Sequence, residues 1–122
     1  MKISEFEIRN VHLPLVRPFR TSFSTQTSRE LLIIKVTDEN GNVGWAEDVA
    51  LSEPVYSPEY VAGNLDLMKR FLIPKIFSRS EITAEEVANV LSPYLGAPMA
   101  KAALETAILD AQLRSEKKSL AS

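Results

Sequence analysis

Side chains of the common catalytic kinds are scarce in this sequence. Its single histidine, His12, lies inside a predicted strand close to Pro14. We interpret it as structural, because no second histidine exists to complete a metal-binding pair. The serines between residues 14 and 30 are potential nucleophiles, but no histidine is placed to act as their base. There is no cysteine, which excludes disulfides and thiolate metal sites. Glycine-rich phosphate-binding patterns and an H-E-x-x-H zinc pattern are also absent.

Carboxylates are the other side chains that could do chemistry, because Asp and Glu residues at separated strand ends can bind a hard cation. Glu47 and Asp48 follow a predicted strand, and Glu53 lies five residues after Asp48. We favour an interpretation without a metal, in which Glu47 hydrogen-bonds a nearby loop and the acids on predicted helices are exposed. Those helical acids are Glu85, Glu86, Glu105 and Asp110. No metal site is therefore expected in this chain.

The most informative stretch is residues 14–30. Its two prolines and its run of hydroxyl side chains predict a loop rather than a regular strand or helix. Two large apolar rings, Phe19 and Phe23, lie four residues apart within it. A loop must bury such rings against a substrate, a partner domain or its own core. From this stretch alone, these alternatives stay open.

A second predicted loop, residues 48–57, leaves the third strand and carries Leu51 and Tyr56. In a three-stranded antiparallel meander, the first connection and the exit from the third strand lie at the same end of the sheet. The two loops could therefore converge on one surface. This favours a shared pocket formed by Phe19, Phe23, Leu51 and Tyr56.

The first half of the chain reads as strands. Residues 2–13 alternate with a change of parity, which predicts a bulge near residues 9–10. Residues 31–36 form a nearly continuous apolar run, typical of a central strand covered on both faces. An Asn-Gly pair at residues 40–41 predicts a hairpin turn before a returning strand at residues 43–47. Together the three segments predict an antiparallel meander.

The second half reads as three helices. A serine and a proline at residues 57–58 predict the start of the first, which Pro74 should end or kink. A capping box at residues 83–86 predicts a short second helix. The third begins near Pro98 and extends to about Glu116, with a stripe of alanines that lets a neighbour approach closely. Strands followed by helices predict an α+β fold rather than alternating α/β.

Size and composition fit one globular domain over residues 1–122, with 45% hydrophobic and 25% charged residues. The formal net charge of −2 gives no electrostatic case for nucleic acid or an anionic membrane as a partner. No apolar run approaches the ~20 residues of a membrane span. The charged N-terminus lacks the apolar core of a signal peptide. We therefore expect a cytoplasmic protein.

Several motifs together resemble the N-terminal capping domain of the enolase superfamily. They are P-F-R-T-S-F at residues 18–23, G-W-A-E at residues 44–47, P-V-Y-S at residues 54–57 and M-A-K-A-A-L-E at residues 99–105. Within the superfamily, the chain looks most like the o-succinylbenzoate synthase / N-succinylamino acid (N-acylamino acid) racemase group. The resemblance covers essentially all 122 residues. The G-W-A-E motif departs slightly from the family's usual pattern, in which glycine is commoner than alanine before the glutamate.

The resemblance implies a two-domain enzyme in which an α+β cap closes over a (β/α)-barrel. The barrel's carboxylates hold Mg²⁺, two of its lysines act as acid and base, and the metal stabilises an enolate formed next to a carboxylate. The two loops of the cap exclude water and contact the distal group of a small carboxylate substrate. By resemblance, Phe19 and Phe23 match the first loop's pocket aromatics, and Leu51 and Tyr56 match the second loop's contacts.

The catalytic half of such an enzyme has no match in this sequence. A barrel takes roughly 200 residues or more, and the sequence ends at Ser122. Neither the family's K-x-K lysine motif nor its three metal carboxylates match residues here. We expect both to lie in a barrel that begins near or after residue 122, and we expect the cap alone to show no turnover. That barrel is the expected partner. An isolated cap would expose the apolar surface that normally meets the barrel, so we expect it to self-associate or to show partial loop disorder. A homo-oligomer is an open alternative.

Three functions remain open at this stage. The parent protein could dehydrate the menaquinone-pathway precursor to o-succinylbenzoate, racemise N-succinylamino acids, or do both. It could instead be another member of the superfamily, a dipeptide epimerase or a muconate cycloisomerase. The third alternative is a stand-alone interaction domain whose loop aromatics bind a partner protein.

Overall fold

The N-terminal part of the chain folds into a three-stranded antiparallel sheet. The structure is a computed structural model that describes residues 1–20 and 25–119, with side chains at residues 1–14 and 29–119. The strands are paired in the order β1-β2-β3, so that β2 is central. Their bounds are Ile3–Arg20 for β1, Thr25–Asp38 for β2 and Val43–Asp48 for β3. The predicted meander is confirmed.

The predicted bulge near residues 9–10 is wrong. The register between β1 and β2 is continuous from Glu5 to Pro14 and shifts only outside that stretch. Phe6 packs against the core, whereas Leu13 is 49% exposed. The change of parity in the sequence therefore records apolar side chains on both faces of one regular strand, because successive residues point to opposite faces.

The predicted loop at residues 14–30 is also wrong for the described backbone, because β1 continues to Arg20 and β2 begins at Thr25. Proline is tolerated on an edge strand or at an irregularity of the pairing. β1 is an edge strand, and its register shifts between Pro14 and Phe19, the stretch that contains Pro18. The edge position and the register shift therefore accommodate both prolines.

The β1–β2 hairpin extends beyond the end of β3, whose last residue, Asp48, pairs with Leu32. We call this extension, residues 11–20 and 25–31, the hairpin arm. At about 3.4 Å per residue it projects roughly 20 Å past the three-stranded sheet. Within it only two strands are paired with each other, which is a marginal arrangement unless other elements support it.

The central strand is buried mainly on one face. Leu32, Ile34 and Val36 are fully buried beneath the helices, while Ile33 and Lys35 on the opposite face are half-buried. The prediction of a strand covered on both faces is therefore confirmed only in part, because Leu31 on the outer face is buried but Ile33 and Lys35 are not. The ring of Trp45 provides part of the cover there, with the Lys35 ammonium 5.5 Å from its centroid.

Three helical runs follow the sheet, and the predicted α+β order is confirmed. The first run is continuous and contains α1, a π-helical turn and α2. The bounds are α1 Val61–Leu67, the π-helical turn Met68–Leu72, α2 Ile73–Phe77, α3 Ala84–Leu91 and α4 Pro98–Ser115. Within the described residues, none of these helices has the length and apolarity needed to cross a membrane.

The first helical run differs from its prediction at both ends. It begins at Val61 rather than at residues 57–58, because the Val61 amide donates to the carbonyl of Leu51 and Tyr60 is held extended. It also passes through Pro74 and ends at Phe77. The π-helical turn ends at Leu72, two residues before the proline, and the Ile73 amide donates to the carbonyl of Met68 five residues back. Such a local change in the hydrogen-bond ladder accommodates a proline within a helical run.

The two other helices begin and pack as predicted. The capping box at α3 is present, with the Thr83 amide donating to Glu86 Oε1 at 3.0 Å. On α4, the small residues form a buried stripe that faces β3 at Gly44. The buried alanines are Ala100, Ala103, Ala107 and Ala111.

The β2–β3 turn contains a buried carboxylate whose ionisation should make stability depend on pH. Burial tends to raise the pKa of Asp38, but hydrogen bonds from Asn42 and from the Asn40 amide outweigh it and lower the pKa. Because the unfolded chain binds this proton more tightly, the stabilisation is present above the ordinary pKa of about 4 and is lost as pH falls through the lower folded value.

We therefore expect Asp38→Asn to remove part of the acid sensitivity of folding. The free energy of unfolding, measured by urea titration between about pH 2.5 and pH 6, should rise less steeply with pH in this variant than in the wild type. The exposed neighbour Glu39 offers a control, and Glu39→Gln should leave the slope nearly unchanged. Equal slopes for wild type and Asp38→Asn would contradict this account.

Candidate functional site

The second loop leaves β3 beside the base of the hairpin arm and contacts that base, as the topology predicted, and the convergence of the aromatic side chains themselves stays a prediction. Two adjacent side chains of β2 make the contact. The Arg29 guanidinium donates to the carbonyl of Ala50 at 3.1 Å and also to the carbonyl of Val49. The Ser52 hydroxyl donates to Glu30 Oε1 at 2.6 Å. We call these five residues the arm–loop junction.

Glu30 provides the carboxylate of this junction. The hydrogen bond from Ser52 is the largest of the effects that lower its pKa, followed by one from Asn10. The charges of His12 and Arg29 lower this pKa further, and burial opposes them. The ionised form therefore persists at neutral pH and joins β1, β2 and the second loop.

His12 lies in the hairpin arm, where its imidazole Nε2 is 3.4 Å from Glu30 Oε2. The side chain is 66% exposed. This position agrees with the structural interpretation, because the ring is paired with a carboxylate and has no second histidine.

A buried polar network holds the two ends of the second loop. The Asn64 side-chain amide of α1 donates to Asp48 Oδ2 at 2.7 Å and to Glu59 Oε1 at 3.2 Å. Asp48, at the start of the loop, also accepts from the Ala50 amide at 3.0 Å. All three side chains of the network are buried. One amide group thereby ties Asp48, which ends β3, to Glu59, which lies two residues before α1.

Glu59 extends the network to the third helical run. Its carboxylate accepts from the backbone amides of Met99 and Ala100, both at 3.0 Å, in the first turn of α4. The residue at the N-cap position, Ala97, has a left-handed φ of 54° and no side-chain acceptor. Glu59 therefore satisfies the free N–H groups of α4 from 41 residues away.

The predicted pocket residues are distributed over both segments. Phe19 lies on the hairpin arm and pairs with Gln26, but its side chain is not among those described, and Phe23 lies outside the described residues. Leu51 is half-buried and forms a bridge to Tyr60, while Tyr56 is 71% exposed near the outer end of the second loop. Their shared role in a pocket stays a prediction.

The predicted behaviour of the acids is partly corrected. Glu47 is exposed, and it is its neighbour Asp48 that bonds the second loop. Of the helical acids only Glu85 is exposed, whereas Glu86, Glu105 and Asp110 are half-buried. Asp110 accepts from the Trp45 amide at 2.9 Å. Among the described residues, no three His, Asp or Glu side chains are grouped to hold a metal ion. The donor set present here therefore does not fit Mg²⁺.

Sequence reasoning missed Arg29, Glu30, Glu59 and Asn64. Asn64 carried a readable signal, because it lies three residues after Val61 on the apolar stripe of α1 and a polar residue at such a position needs a buried partner. Arg29 and Glu30 carried none, since charged residues before an apolar strand are ordinary at a surface.

The comparisons with known proteins cover nearly the whole chain. Residues 3–122 match the family described as mandelate racemase / muconate lactonizing enzyme, N-terminal domain. The chain is 46% identical over 121 residues to an N-succinylamino acid racemase of Amycolatopsis, covering 99% of this chain and 33% of the racemase. It is 34% identical over 121 residues to an o-succinylbenzoate synthase of Bacillus subtilis, with the same shares covered.

A solved structure gives the same result for the fold. A member of the enolase superfamily from Listeria innocua superposes with a TM-score of 0.94 at 34% identity, over 99% of this chain and 33% of that one. The chain thus spans about a third of the length of these relatives. Sequence and fold agree that this chain belongs to the mandelate racemase / muconate lactonizing enzyme family of the enolase superfamily, as its N-terminal capping domain.

Proposed function

We propose that this domain is the substrate-specificity cap of an o-succinylbenzoate synthase / N-succinylamino acid racemase. The observation that carries the proposal is the convergence of the hairpin arm and the second loop at one end of the sheet, where Arg29 and Glu30 join them. The 46% identity to a protein named N-succinylamino acid racemase supports the choice of reaction.

The exposed apolar side chains of the second loop support a role in binding. Val49, Val55 and Tyr56 are 53%, 45% and 71% exposed on this one loop, and loops held by a rigid scaffold often carry binding residues. In the proposed enzyme, Phe19, Phe23, Leu51 and Tyr56 contact the distal part of a small carboxylate substrate. The loops exclude water from the reacting end.

The chemistry belongs to a C-terminal barrel in this proposal. The barrel supplies the acid/base lysines and the carboxylates that bind Mg²⁺. The cap contributes binding and orientation, which lower the barrier by placing the substrate carboxylate against the reacting groups. A cytoplasmic location is part of the same proposal.

The full natural protein that contains residues 1–122 tests the proposal directly. We expect it to racemise N-succinylamino acids, to form o-succinylbenzoate, or both. The kcat/KM for at least one of these should exceed that for dipeptides and muconate by about 100-fold. Polarimetry follows the racemisation, and ultraviolet absorbance follows the dehydration. Removal of divalent metal with EDTA should abolish turnover, and Mg²⁺ should restore it.

The chain of residues 1–122 is the matched control and should show no turnover of any of these substrates. Selective turnover of dipeptides or of muconate would replace this proposal by the alternative, the cap of a dipeptide epimerase or a muconate cycloisomerase. A native protein of about the 13.6 kDa of this chain would instead favour a stand-alone interaction domain.

A further inference from the structure

The hairpin arm and the second loop each need support that neither provides alone. Among the residues that the structure describes, the arm consists of two strands with no third strand beside them, and the second loop is irregular between β3 and α1. Such segments sample many conformations unless contacts from elsewhere restrict them. A pocket formed between two independently moving walls would select substrates poorly, because binding would have to order both walls.

The arm–loop junction supplies this support at one point. Successive strand residues point to opposite faces, so Arg29 and Glu30 reach the second loop from the two faces of the same strand. Arg29 bonds two consecutive carbonyls of the loop, and Glu30 accepts from the next hydroxyl along it. The arginine also donates to the carbonyl of Glu30 at 2.9 Å, which holds its guanidinium in place.

The junction restricts the base of the loop and leaves its outer part open. Residues 48, 49, 50 and 52 are bonded to the arm or to one another, and the Leu51 carbonyl accepts from the Val61 amide at 2.8 Å. Val55 and Tyr56, beyond this base, are exposed. The junction therefore sets where the exposed part of the loop lies relative to the arm.

We propose that Arg29 and Glu30 are positioning residues that make the hairpin arm and the second loop move as one unit and so set the spacing of the two pocket walls. The part of this inference that concerns substrate rests on the proposed function. The part that concerns coupling rests only on the contacts at the junction.

The test replaces Arg29 by methionine in the full natural protein, which removes the donors and keeps an apolar stem. Hydrogen exchange should rise by about 10-fold or more in amides of residues 49–52 and stay unchanged in residues 32–36 of β2. In the same variant, KM for an N-succinylamino acid should rise by about 10-fold, while kcat should change by less than about threefold.

Two further variants make the result specific. Arg29→Lys keeps the charge but not the paired donors, and it should give intermediate exchange and an intermediate KM. Arg9→Met is the matched control, because Arg9 lies on β1, is 70% exposed and bonds Glu7 rather than the second loop. It should change neither measurement.

Unchanged exchange at residues 49–52 in Arg29→Met would overturn the inference. So would an equal rise at residues 32–36, because Arg29 would then support the whole fold rather than the loop. A protein that turns over none of the tested substrates would refute the proposed function, and the exchange measurement would still decide the coupling.

Discussion

Gly44→Ala is expected to destabilise the domain by about 3 kcal/mol, a large part of the ~5–15 kcal/mol that stabilises a typical domain. A Cβ added at this position would lie 2.1 Å from the carbonyl oxygen of Ala107 and 2.4 Å from the amide nitrogen of Ala111. Both atoms belong to the backbone of α4, so no side-chain rotation can relieve the overlap. The helix would have to move away from β3, which would disturb the bond between the Trp45 amide and Asp110.

Urea unfolding followed by the fluorescence of Trp45, the single tryptophan, measures this effect. Gly63→Ala is the matched control. The atoms nearest to its added Cβ belong to the ring of Tyr60, at 2.7 Å, and a side chain that is 39% exposed can rotate away, unlike backbone. Because Gly63 lies within α1, alanine there should be neutral or stabilising by up to about 1 kcal/mol. Similar losses from both substitutions would contradict the close packing of β3 on α4.

Asn64→Leu should have the second large effect, a destabilisation of about 3 kcal/mol. The substitution keeps a side chain of similar size but removes the amide that donates to both Asp48 and Glu59. Each buried carboxylate would lose a donor, and hydrogen bonds to charged groups contribute roughly 1.5–3 kcal/mol apiece. The two ends of the second loop would also lose their shared contact, so amide exchange should rise there.

The matched control is Asn89→Leu on α3, because Asn89 is exposed. That variant should change the free energy of unfolding by less than about 0.5 kcal/mol. Equal effects at the two positions, or an Asn64→Leu protein as stable as the wild type, would show that the buried network contributes little.

The features that sequence reasoning predicted correctly depend on residues close together in the chain. The capping box joins Thr83 and Glu86, and the Asn-Gly turn is held by Asp38 within four residues. The alanine stripe of α4 and the alternation in the strands follow from periods of 3.6 and 2 residues. These local signals, together with the order of strands before helices, were sufficient to predict an α+β fold with an antiparallel meander followed by helices.

The errors arose where a local signal competed with a tertiary contact. Pro14 and Pro18 indicated a loop, but an edge strand with a shifted register accommodates them. Pro74 indicated a helix end or a kink, and the end is excluded because the helical run continues through a π-helical turn to Phe77. In both cases the propensity of one residue was weaker than the pairing and packing of the whole element.

The sequence by itself determined the fold class, the family and the two segments that carry the apolar side chains of the candidate pocket. Only the tertiary structure decided how those segments are held. Glu59 meets the first turn of α4 across 41 residues, and Arg29 meets the carbonyl of Ala50 across 21. Contacts between residues so far apart leave no periodic trace in the sequence, because they depend on which surfaces the packed sheet and helices bring together.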